Sequence, residues 1–307
     1  MKLGIVVVYL VSERMVPLLE LHLRKIEELT DVPYTIYGSV NRLLPRHRRV
    51  LERHPRVETF EISPSFEERD QSAGFVKENG YYLDHLIELA ITDGVTHLCA
   101  LHVDSFPIRA GWVEHVLAKI DDAHPMAAML REENGDTVLP MPAFLFCTRE
   151  FQELVRPRFM IPSQTEATPE WQAFCKRYGG EQDTGLGYAF ALNQRGLRFH
   201  ALRRSNQHDD HYLLAGVYDD LVFHLGAAAR MDLAGQRVLF RGERRGAGRT
   251  AEYMAAETDE ERQRLLELGE LENRRKFEEI WAALTRDPDA YVHLLRTGET
   301  PRPAHRS

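Results

Sequence analysis

The sequence is poor in cysteine and carries no excess of positive charge, and each shortage excludes a class of protein. Its 307 residues include three cysteines, which are spaced too widely for a disulfide framework or a CxxC metal knuckle. Acidic residues outnumber basic ones by 47 to 39, a net charge of −8, so there is no global field for nucleic acid or an anionic membrane. We therefore expect a protein of the reducing cytoplasm, without a nucleic-acid partner, that holds any phosphate ligand locally.

The sequence also lacks an apolar run long enough to span a membrane. Its N-terminus carries a shorter apolar run. Residues 3–11 are apolar apart from Gly4, but the run is too short to span a bilayer and lacks the small-residue cleavage site of a secretion signal. The sequence contains no internal repeat. We expect no transmembrane segment and interpret the run as the first core strand of a globular domain.

Strands and amphipathic helices alternate along the first part of the chain. Residues 3–10 have the β-branched, apolar character of a strand buried on both faces of a mostly parallel sheet, and residues 17–29 carry leucine and isoleucine at helical spacing. The further predicted strands are 33–37, 57–62, 126–130, 143–147, 197–202 and 217–225, and the further predicted helices are 81–91, 111–120 and 184–194, the last followed by Gly196. This order predicts an α/β domain whose sheet is flanked by helices.

Two segments interrupt the alternation. Residues 156–180 mix prolines and glycines with other residue types, which predicts a long irregular insert of the kind that serves as a functional lid. Residues 237–249 combine five arginines with glycines, and we expect this basic segment to close over phosphates.

The C-terminal part has a different composition. Residues 250–284 are rich in Glu, Arg, Leu and Ala, which predicts a long helix with a break near 257–259. Residues 297–307 predict a disordered tail. We therefore divide the chain into a domain over 1–230 and a helical extension over 231–307, whose charged helix is compatible with a homodimer.

The strand predicted before residue 104 ends in the polar cluster His102-Val103-Asp104-Ser105. A carboxylate at the end of a buried strand lies at the sheet edge where open α/β folds bind ligands. Mg²⁺ takes one or two protein carboxylates and completes its shell with phosphate oxygens, and imidazole also suits Mn²⁺. Asp104 and His102 are therefore candidate ligands of a metal that holds a diphosphate. The alternative is a strand that simply enters a turn, where Asp, Ser and Pro are common.

Acidic residues also precede the helix predicted over 184–194. Asp183 is a candidate general base because a carboxylate fixed at a helix start can take a proton from an attacking hydroxyl. Glu181 is the second candidate for this role. The alternative is that these carboxylates only cap the helix and interact with its dipole.

Histidines recur near the end of the predicted domain. His224 ends an apolar run, and taken alone such a residue is typical of a packed or surface histidine. Upstream, residues 208–211 read His-Asp-Asp-His, which are metal-ligating types without a spacing that singles out zinc. We interpret this cluster as a solvated loop that could contact a ligand.

The order of these parts resembles the glycosyltransferases of the GT-A fold, in particular the non-processive family 2 type, over residues 1–230. In that family an Asp-x-Asp motif binds the metal and the diphosphate, and His102-Val103-Asp104 occupies its place. The acidic pair that carries the base precedes a helix ending in glycine, and Gln182-Asp183 occupies that place. Some relatives have a histidine as a further metal ligand after the last core strand, where this chain has His224.

The resemblance implies a GT-A, Rossmann-like domain and a hexosyltransferase that moves one sugar from a nucleoside diphosphate sugar to an acceptor hydroxyl, with inversion. It implies Mn²⁺ or Mg²⁺ bound by Asp104, His102 and His224, and catalysis by Asp183 with Glu181 in reserve. The donor-binding residues that we predict are Tyr9, Ser12, Glu13, Asn41, His102 and Asp104.

The chain departs from the family pattern at several points. His102 replaces the first aspartate, and Ser39 and Asn41 stand where relatives often have an acidic residue near the uracil. The Gln-x-x-Arg-Trp motif of processive synthases is absent, which favours single-sugar transfer. One alternative is a nucleotidyltransferase, although residues 9–14 are not the Gly-rich loop that it needs. Another is a GT-A domain without catalysis that acts as a binding or scaffolding module.

Overall fold

The structure is a computed structural model that describes residues 1–66, 75–178, 183–226 and 250–300. The chain divides into two compact units, Met1–Arg203 (unit 1) and Arg204–Ser307 (unit 2). The domain boundary predicted at residue 230 and the basic segment 237–249 lie outside the described residues, as does most of the predicted tail. Among the described helices, none has both the length and the apolar character that crossing a membrane requires.

Unit 1 is built on a seven-stranded sheet. The strands of this unit are β1 (Leu3–Val8), β2 (Tyr34–Ser39), β3 (Val57–Phe60), β4 (His97–Leu101), β5 (Ser105–Pro107), β6 (Met126–Met129), β7 (Met141–Thr148) and β8 (His200–Leu202). All except β5 belong to the sheet, in the order β3-β2-β1-β4-β7-β6-β8. Neighbours are parallel, except that β7 runs antiparallel to both β4 and β6.

Helices cover both faces of this sheet. The helices of unit 1 are α1 (Val16–Leu29), α2 (Pro45–Glu52), α3 (Phe75–Thr92), α4 (Trp112–Leu117), α5 (Arg149–Val155), α6 (Ser163–Glu166), α7 (Pro169–Tyr178) and α8 (Leu186–Gln194). The predicted α/β class, with a mostly parallel sheet flanked by helices, is confirmed, and it is consistent with a Rossmann-like GT-A arrangement.

The two faces of the sheet carry separate cores because successive strand residues point to opposite sides. On one face, Val6, Leu98 and Ala100 pack in a cluster with residues of α3, α5 and α8. On the other face, the Trp112 ring of α4 lies edge-on to Phe144 of β7, with ring centroids 5.8 Å apart. The sheet is therefore buried on both sides, which explains the continuously apolar sequence of its central strands.

Unit 2 combines a β-hairpin with helices. Its elements are β9 (Gly216–Tyr218), β10 (Val222–His224), α9 (Thr250–Ala255), α10 (Asp259–Arg286) and α11 (Pro288–Thr297). The predicted helical C-terminal extension and its break are confirmed. The Thr258 hydroxyl accepts a hydrogen bond from the Glu261 N–H and so caps the start of α10.

The prediction of a solvated loop over residues 208–211 is wrong in part, because this cluster is tied to the C-terminal helices of unit 2. The His211 ring nitrogen Nε2 lies 2.6 Å from the Asn273 side-chain oxygen. The Tyr291 hydroxyl donates to Asp210 at 2.9 Å. These polar side chains therefore help to hold the loop against α10 and α11.

Two further sequence predictions need correction. The insert over 156–180 is not irregular, since it contains α6 and α7. The run 217–225 is not one strand: Asp219 and Asp220 adopt φ values of +52° and +57°, which turns the chain back between β9 and β10. The sequence pattern also missed α2 and α5. The helix predicted over 184–194 and its glycine end are confirmed, since Gly196 has φ +64°.

Candidate functional site

The carboxyl ends of four parallel strands form one edge of the sheet in unit 1. Val8 of β1 pairs in register with Ser39 of β2, and Val7 of β1 pairs with Leu101 of β4. The residues that follow these strands therefore leave the sheet side by side. Ligands of open α/β sheets bind at this edge. We call it the strand-end edge.

A tight turn follows β4 at this edge and carries His102 and Asp104. The Ser105 N–H donates to the His102 carbonyl at 3.0 Å, and the His102 N–H donates to the Ser105 hydroxyl at 3.1 Å. The same hydroxyl lies within hydrogen-bond reach of the Ala143 carbonyl on β7. The strand does enter a turn, as the alternative interpretation held, and the turn fixes the backbone that carries the candidate ligands.

Within this turn, the His102 and Asp104 side chains converge. His102 Nδ1 lies 3.9 Å from Asp104 Oδ1, and Asp104 is buried, with 6% of its surface exposed. Two ligand atoms that each lie about 2.1 Å from one ion can be at most about 4.2 Å apart. A carboxylate oxygen and an imidazole nitrogen at this separation therefore fit one divalent ion such as Mn²⁺.

His224, the third predicted metal ligand, belongs to unit 2. It is the last residue of β10, where it pairs with Gly216 of β9 and is 4% exposed. His102, Asp104 and His224 each offer one atom of a type that binds divalent metals. The assignment of all three to a single ion stays a prediction.

Asp183, the predicted base, lies in the turn before α8. Its carboxylate accepts a hydrogen bond from the Thr184 N–H at 2.7 Å, and α8 begins at Leu186 with Gly185 as its N-cap residue. Asp183 is thus not the N-cap residue. Its companion Glu181 lies outside the described residues, so its role stays a prediction.

The turn that carries Asp183 is pressed against the chain before β7. A Cβ atom on Gly185 would lie 1.8 Å from the Pro140 carbonyl oxygen, so only glycine allows this contact. Because β7 is antiparallel to β4 and Phe144 pairs with Leu101, Pro140 lies toward the end of β4 that leads into His102. Asp183 is therefore positioned toward the same strand-end edge as Asp104.

The four remaining predicted donor-binding residues lie after β1 and β2. Tyr9 is fully buried, and its ring would meet a Cβ atom on Gly38 at 2.6 Å. Any contact of Tyr9 with a donor would therefore come through its backbone. Ser12 precedes a short 3₁₀ helix, and the exposed Glu13 carboxylate forms an ion pair with Arg46 of α2. Donor binding by these residues stays a prediction.

Asn41 connects the ends of β2 and β3. Its side-chain oxygen accepts hydrogen bonds from the Ser39 hydroxyl and from the Ile62 N–H, both at 3.0 Å. Its amide nitrogen donates to the Ile62 carbonyl at 2.9 Å. The Asn41 side chain therefore bonds the backbone beyond the ends of β2 and β3. Its second amide N–H is the group with which it could bind the nucleobase of a donor.

The sequence analysis missed His22, which supports the turn from the opposite side. This residue of α1 is fully buried, and its Nδ1 lies 2.8 Å from the Ser105 carbonyl oxygen. Burial lowers the pKa of His22 to about 4, so the imidazole is neutral. A polar residue within the leucine-rich face of α1 was the sequence signal that could have found it.

A second buried aspartate, Asp84 of α3, lies on the face of the sheet covered by α3, α5 and α8. Its two carboxylate oxygens accept hydrogen bonds from the N–H groups of Phe159 and Met160 at 2.9 and 3.0 Å. Burial raises the pKa of Asp84 to about 7. A cavity of about 220 Å³ borders Asp84 and Arg158. We call the backbone of residues 157–161 the strap, and Asp84 is its anchor.

Comparisons with known proteins give no match at the level of sequence. No family model matches the chain, and no curated protein does. Among solved structures, the chain is similar to the galactosyltransferase LgtC in complex with donor and acceptor sugar analogs. The TM-score is 0.39 and the identity 10%, over 67% of this chain and 73% of that one. This similarity is too low to support an argument about function, so the fold and the site rest on the geometry described above.

Proposed function

We propose that the protein is a metal-dependent glycosyltransferase of the GT-A type, which transfers one sugar from a nucleoside diphosphate sugar to an acceptor hydroxyl. The observation that carries the proposal is the His102 and Asp104 pair, whose ligand atoms lie 3.9 Å apart at the strand-end edge. A carboxylate and an imidazole at the ligand-binding edge of a parallel sheet suit a divalent ion that holds a diphosphate.

In this proposal Asp104, His102 and His224 hold Mn²⁺ or Mg²⁺. When bound, the ion supplies positive charge against the negative charge that develops on the leaving diphosphate. Asp104 supplies the carboxylate of the site, and the two histidines supply imidazole nitrogen ligands. Ser12, Glu13, Asn41 and the backbone of Tyr9 hold the nucleoside.

Asp183 acts as the general base. The acceptor hydroxyl oxygen attacks the anomeric carbon, the bond from that carbon to the diphosphate oxygen breaks, and the hydroxyl proton passes to the Asp183 carboxylate. A single in-line displacement of this kind inverts the configuration of the anomeric carbon. The close contact of Gly185 with Pro140 supports this role because it holds the turn that carries Asp183 against the chain before β7.

The experiment that tests the proposal is a screen of nucleoside diphosphate sugars by thermal shift, with and without Mn²⁺. A donor that binds the folded state raises the unfolding temperature with its concentration, and we expect Mn²⁺ to strengthen the shift. Transfer by the best donor should stop on treatment with EDTA and return when Mn²⁺ or Mg²⁺ is added. Transfer that survives thorough chelation would contradict the metal role.

Asp183→Asn separates catalysis from binding. We expect this variant to lose transfer by about 10²- to 10⁴-fold, the range for a general base, while it still binds the donor in the thermal-shift assay. Unchanged turnover would move the base to another residue. Donor binding by the wild type without transfer to any acceptor, and without hydrolysis, would favour the alternative of a binding module.

A further inference from the structure

His22 is a buried polar residue for which the proposed mechanism has no role. It lies on α1 with no exposed surface, and its Nδ1 is 2.8 Å from the carbonyl oxygen of Ser105. Because a carbonyl oxygen only accepts hydrogen bonds, this distance assigns the imidazole proton to Nδ1. His22 therefore donates a buried hydrogen bond to the residue that directly follows Asp104.

Ser105 is the residue on which the turn after β4 depends. Its hydroxyl accepts a hydrogen bond from the His102 N–H, and its own N–H donates to the His102 carbonyl. The hydroxyl also lies within hydrogen-bond reach of the Ala143 carbonyl on β7. The His22 bond holds the remaining backbone group of Ser105, its carbonyl. Two independent supports, one from the sheet and one from α1, thus fix the backbone on either side of Asp104.

The orientation of His22 is itself fixed by packing. Its ring meets the Tyr9 ring edge to face, with the centroids 6.1 Å apart and the planes at 90°. Tyr9 in turn is buried against Gly38 of β2. The imidazole therefore has a defined position relative to the ends of β1 and β2. Its hydrogen bond to Ser105 fixes the turn relative to the same strand ends.

We propose that His22 is a positioning residue for the His102 and Asp104 pair, because its hydrogen bond to Ser105 holds the turn in the geometry that binds a divalent cation. This inference rests on the proposed function for the identity of the ligand. Groups that orient metal ligands typically change metal affinity by about 10- to 100-fold when they are removed. Since His22 acts through the backbone, we expect an effect near the lower end of this range.

Two substitutions at His22 separate hydrogen bonding from packing. His22→Leu fills a similar volume without a donor, whereas His22→Asn places an amide N–H close to the position of Nδ1. The Mn²⁺ dissociation constant of each folded protein is measured by electron paramagnetic resonance with Mn²⁺ alone. We expect His22→Leu to weaken Mn²⁺ binding about tenfold and His22→Asn to restore most of the wild-type affinity.

A second measurement is independent of the metal. Hydrogen exchange of the His102 and Ser105 amides in metal-free protein reports on the turn itself, and we expect it to be faster in His22→Leu than in His22→Asn. Leu23→Ala is the matched control, because it removes packing from the same helix but no hydrogen bond. It should leave both the Mn²⁺ affinity and the exchange at the turn unchanged.

The outcomes distinguish this inference from the proposed function. If the wild type binds Mn²⁺ and His22→Leu binds it equally well, the positioning role is overturned. If the wild type fails to bind Mn²⁺, the metal centre of the proposed function is wrong. Hydrogen exchange of the His102 and Ser105 amides then tests whether His22 holds the turn. Unchanged exchange in His22→Leu would then overturn its role in the turn as well.

Discussion

Asp84 and Asp104 are both buried aspartates of unit 1, with 6% of each exposed, but their surroundings differ. Both oxygens of Asp84 accept hydrogen bonds from the strap backbone, so its carboxylate holds structure together. At Asp104 the bonds that hold the turn come from Ser105 and His22, and the carboxylate lies beside an imidazole. Burial alone therefore does not separate a structural carboxylate from a candidate metal ligand; the groups that surround the carboxylate make the difference.

The strap that Asp84 anchors is also tightly packed against two helices. A Cβ atom on Gly80 of α3 would lie 2.9 Å from the Met160 nitrogen, and one on Gly187 of α8 would lie 1.9 Å from the Arg158 carbonyl oxygen. The strap is thus packed between two glycines as well as anchored by Asp84. A region held this closely provides stability, whereas the turn at Asp104 has a fixed backbone and brings two side chains of metal-ligating types close together.

The largest effect that we predict is the loss of function in Asp104→Asn. Removing the charge of the carboxylate should lower the rate of transfer and the affinity for Mn²⁺ by about 10³-fold each, since a metal contributes several kcal/mol to the stability of the transition state. The free energy of unfolding of the metal-free protein should change less than it does in Asp84→Ala. Steady-state kinetics, Mn²⁺ titration and urea unfolding measure the three quantities. An Asp104→Asn protein that is less stable than Asp84→Ala but still transfers sugar would show that Asp104, like Asp84, has a structural role.

Asp84→Ala should have the opposite pattern. The buried N–H of Phe159 and the half-buried N–H of Met160 would lose their acceptors, at about 1–3 kcal/mol each, so we expect a loss of about 2–6 kcal/mol in the free energy of unfolding. The Mn²⁺ affinity of the folded variant should equal that of the wild type. Glu88→Ala is the control on the same helix, because its exposed pair with Arg158 contributes less than about 1 kcal/mol.

The sequence predicts the central parallel strands β1 and β4 because they are almost continuously apolar, a pattern that is typical of burial on both faces. It failed in the insert because prolines were interpreted as interruptions. Pro162 and Pro169 stand instead at the starts of α6 and α7, where a proline costs no hydrogen bond. Helix α2 was missed because four of its eight residues are arginine or histidine, which obscures its short apolar face.

The candidate site was predictable only in part. Asp104 and His102 could be proposed because two metal-ligating residue types follow a recognisable strand. The contact of His22 with Ser105 could not, because this hydrogen bond joins residues 83 positions apart. The anchoring of the strap by Asp84 was equally hidden, since its partners are backbone N–H groups that any sequence provides.

The pH dependence of stability gives a smaller effect, which tests the burial of Asp84. The pKa of Asp84 is raised to about 7, whereas in an unfolded chain it is about 3.9. Between these values the folded protein holds a proton that the unfolded chain has lost, so the free energy of unfolding falls as the pH rises through this window, by up to about 1.4 kcal/mol per pH unit. The lowered pKa of His22 contributes a slope of opposite sign over much of the same window, so the test is a difference between two proteins. In urea unfolding from pH 4.5 to 7.5, the slope of the wild type should be more negative than that of Asp84→Asn by up to about 1.4 kcal/mol per pH unit. Equal slopes in both proteins would contradict the raised pKa of Asp84.

The smallest effect is expected at Asn41, which shares features of both regions because it holds backbone and also lies at the strand-end edge. Asn41→Ala removes the hydrogen bonds to Ile62 and Ser39, and we expect a loss of about 1 kcal/mol in the free energy of unfolding. If its remaining N–H binds the nucleoside, calorimetry should show a donor affinity about 2- to 10-fold weaker, the value of one neutral hydrogen bond. Ser39→Ala, which removes only one of the bonds to Asn41, is the matched control and should leave donor affinity unchanged. Equal donor affinity in wild type and Asn41→Ala would assign Asn41 to the sheet alone and leave the nucleoside to Ser12 and Glu13.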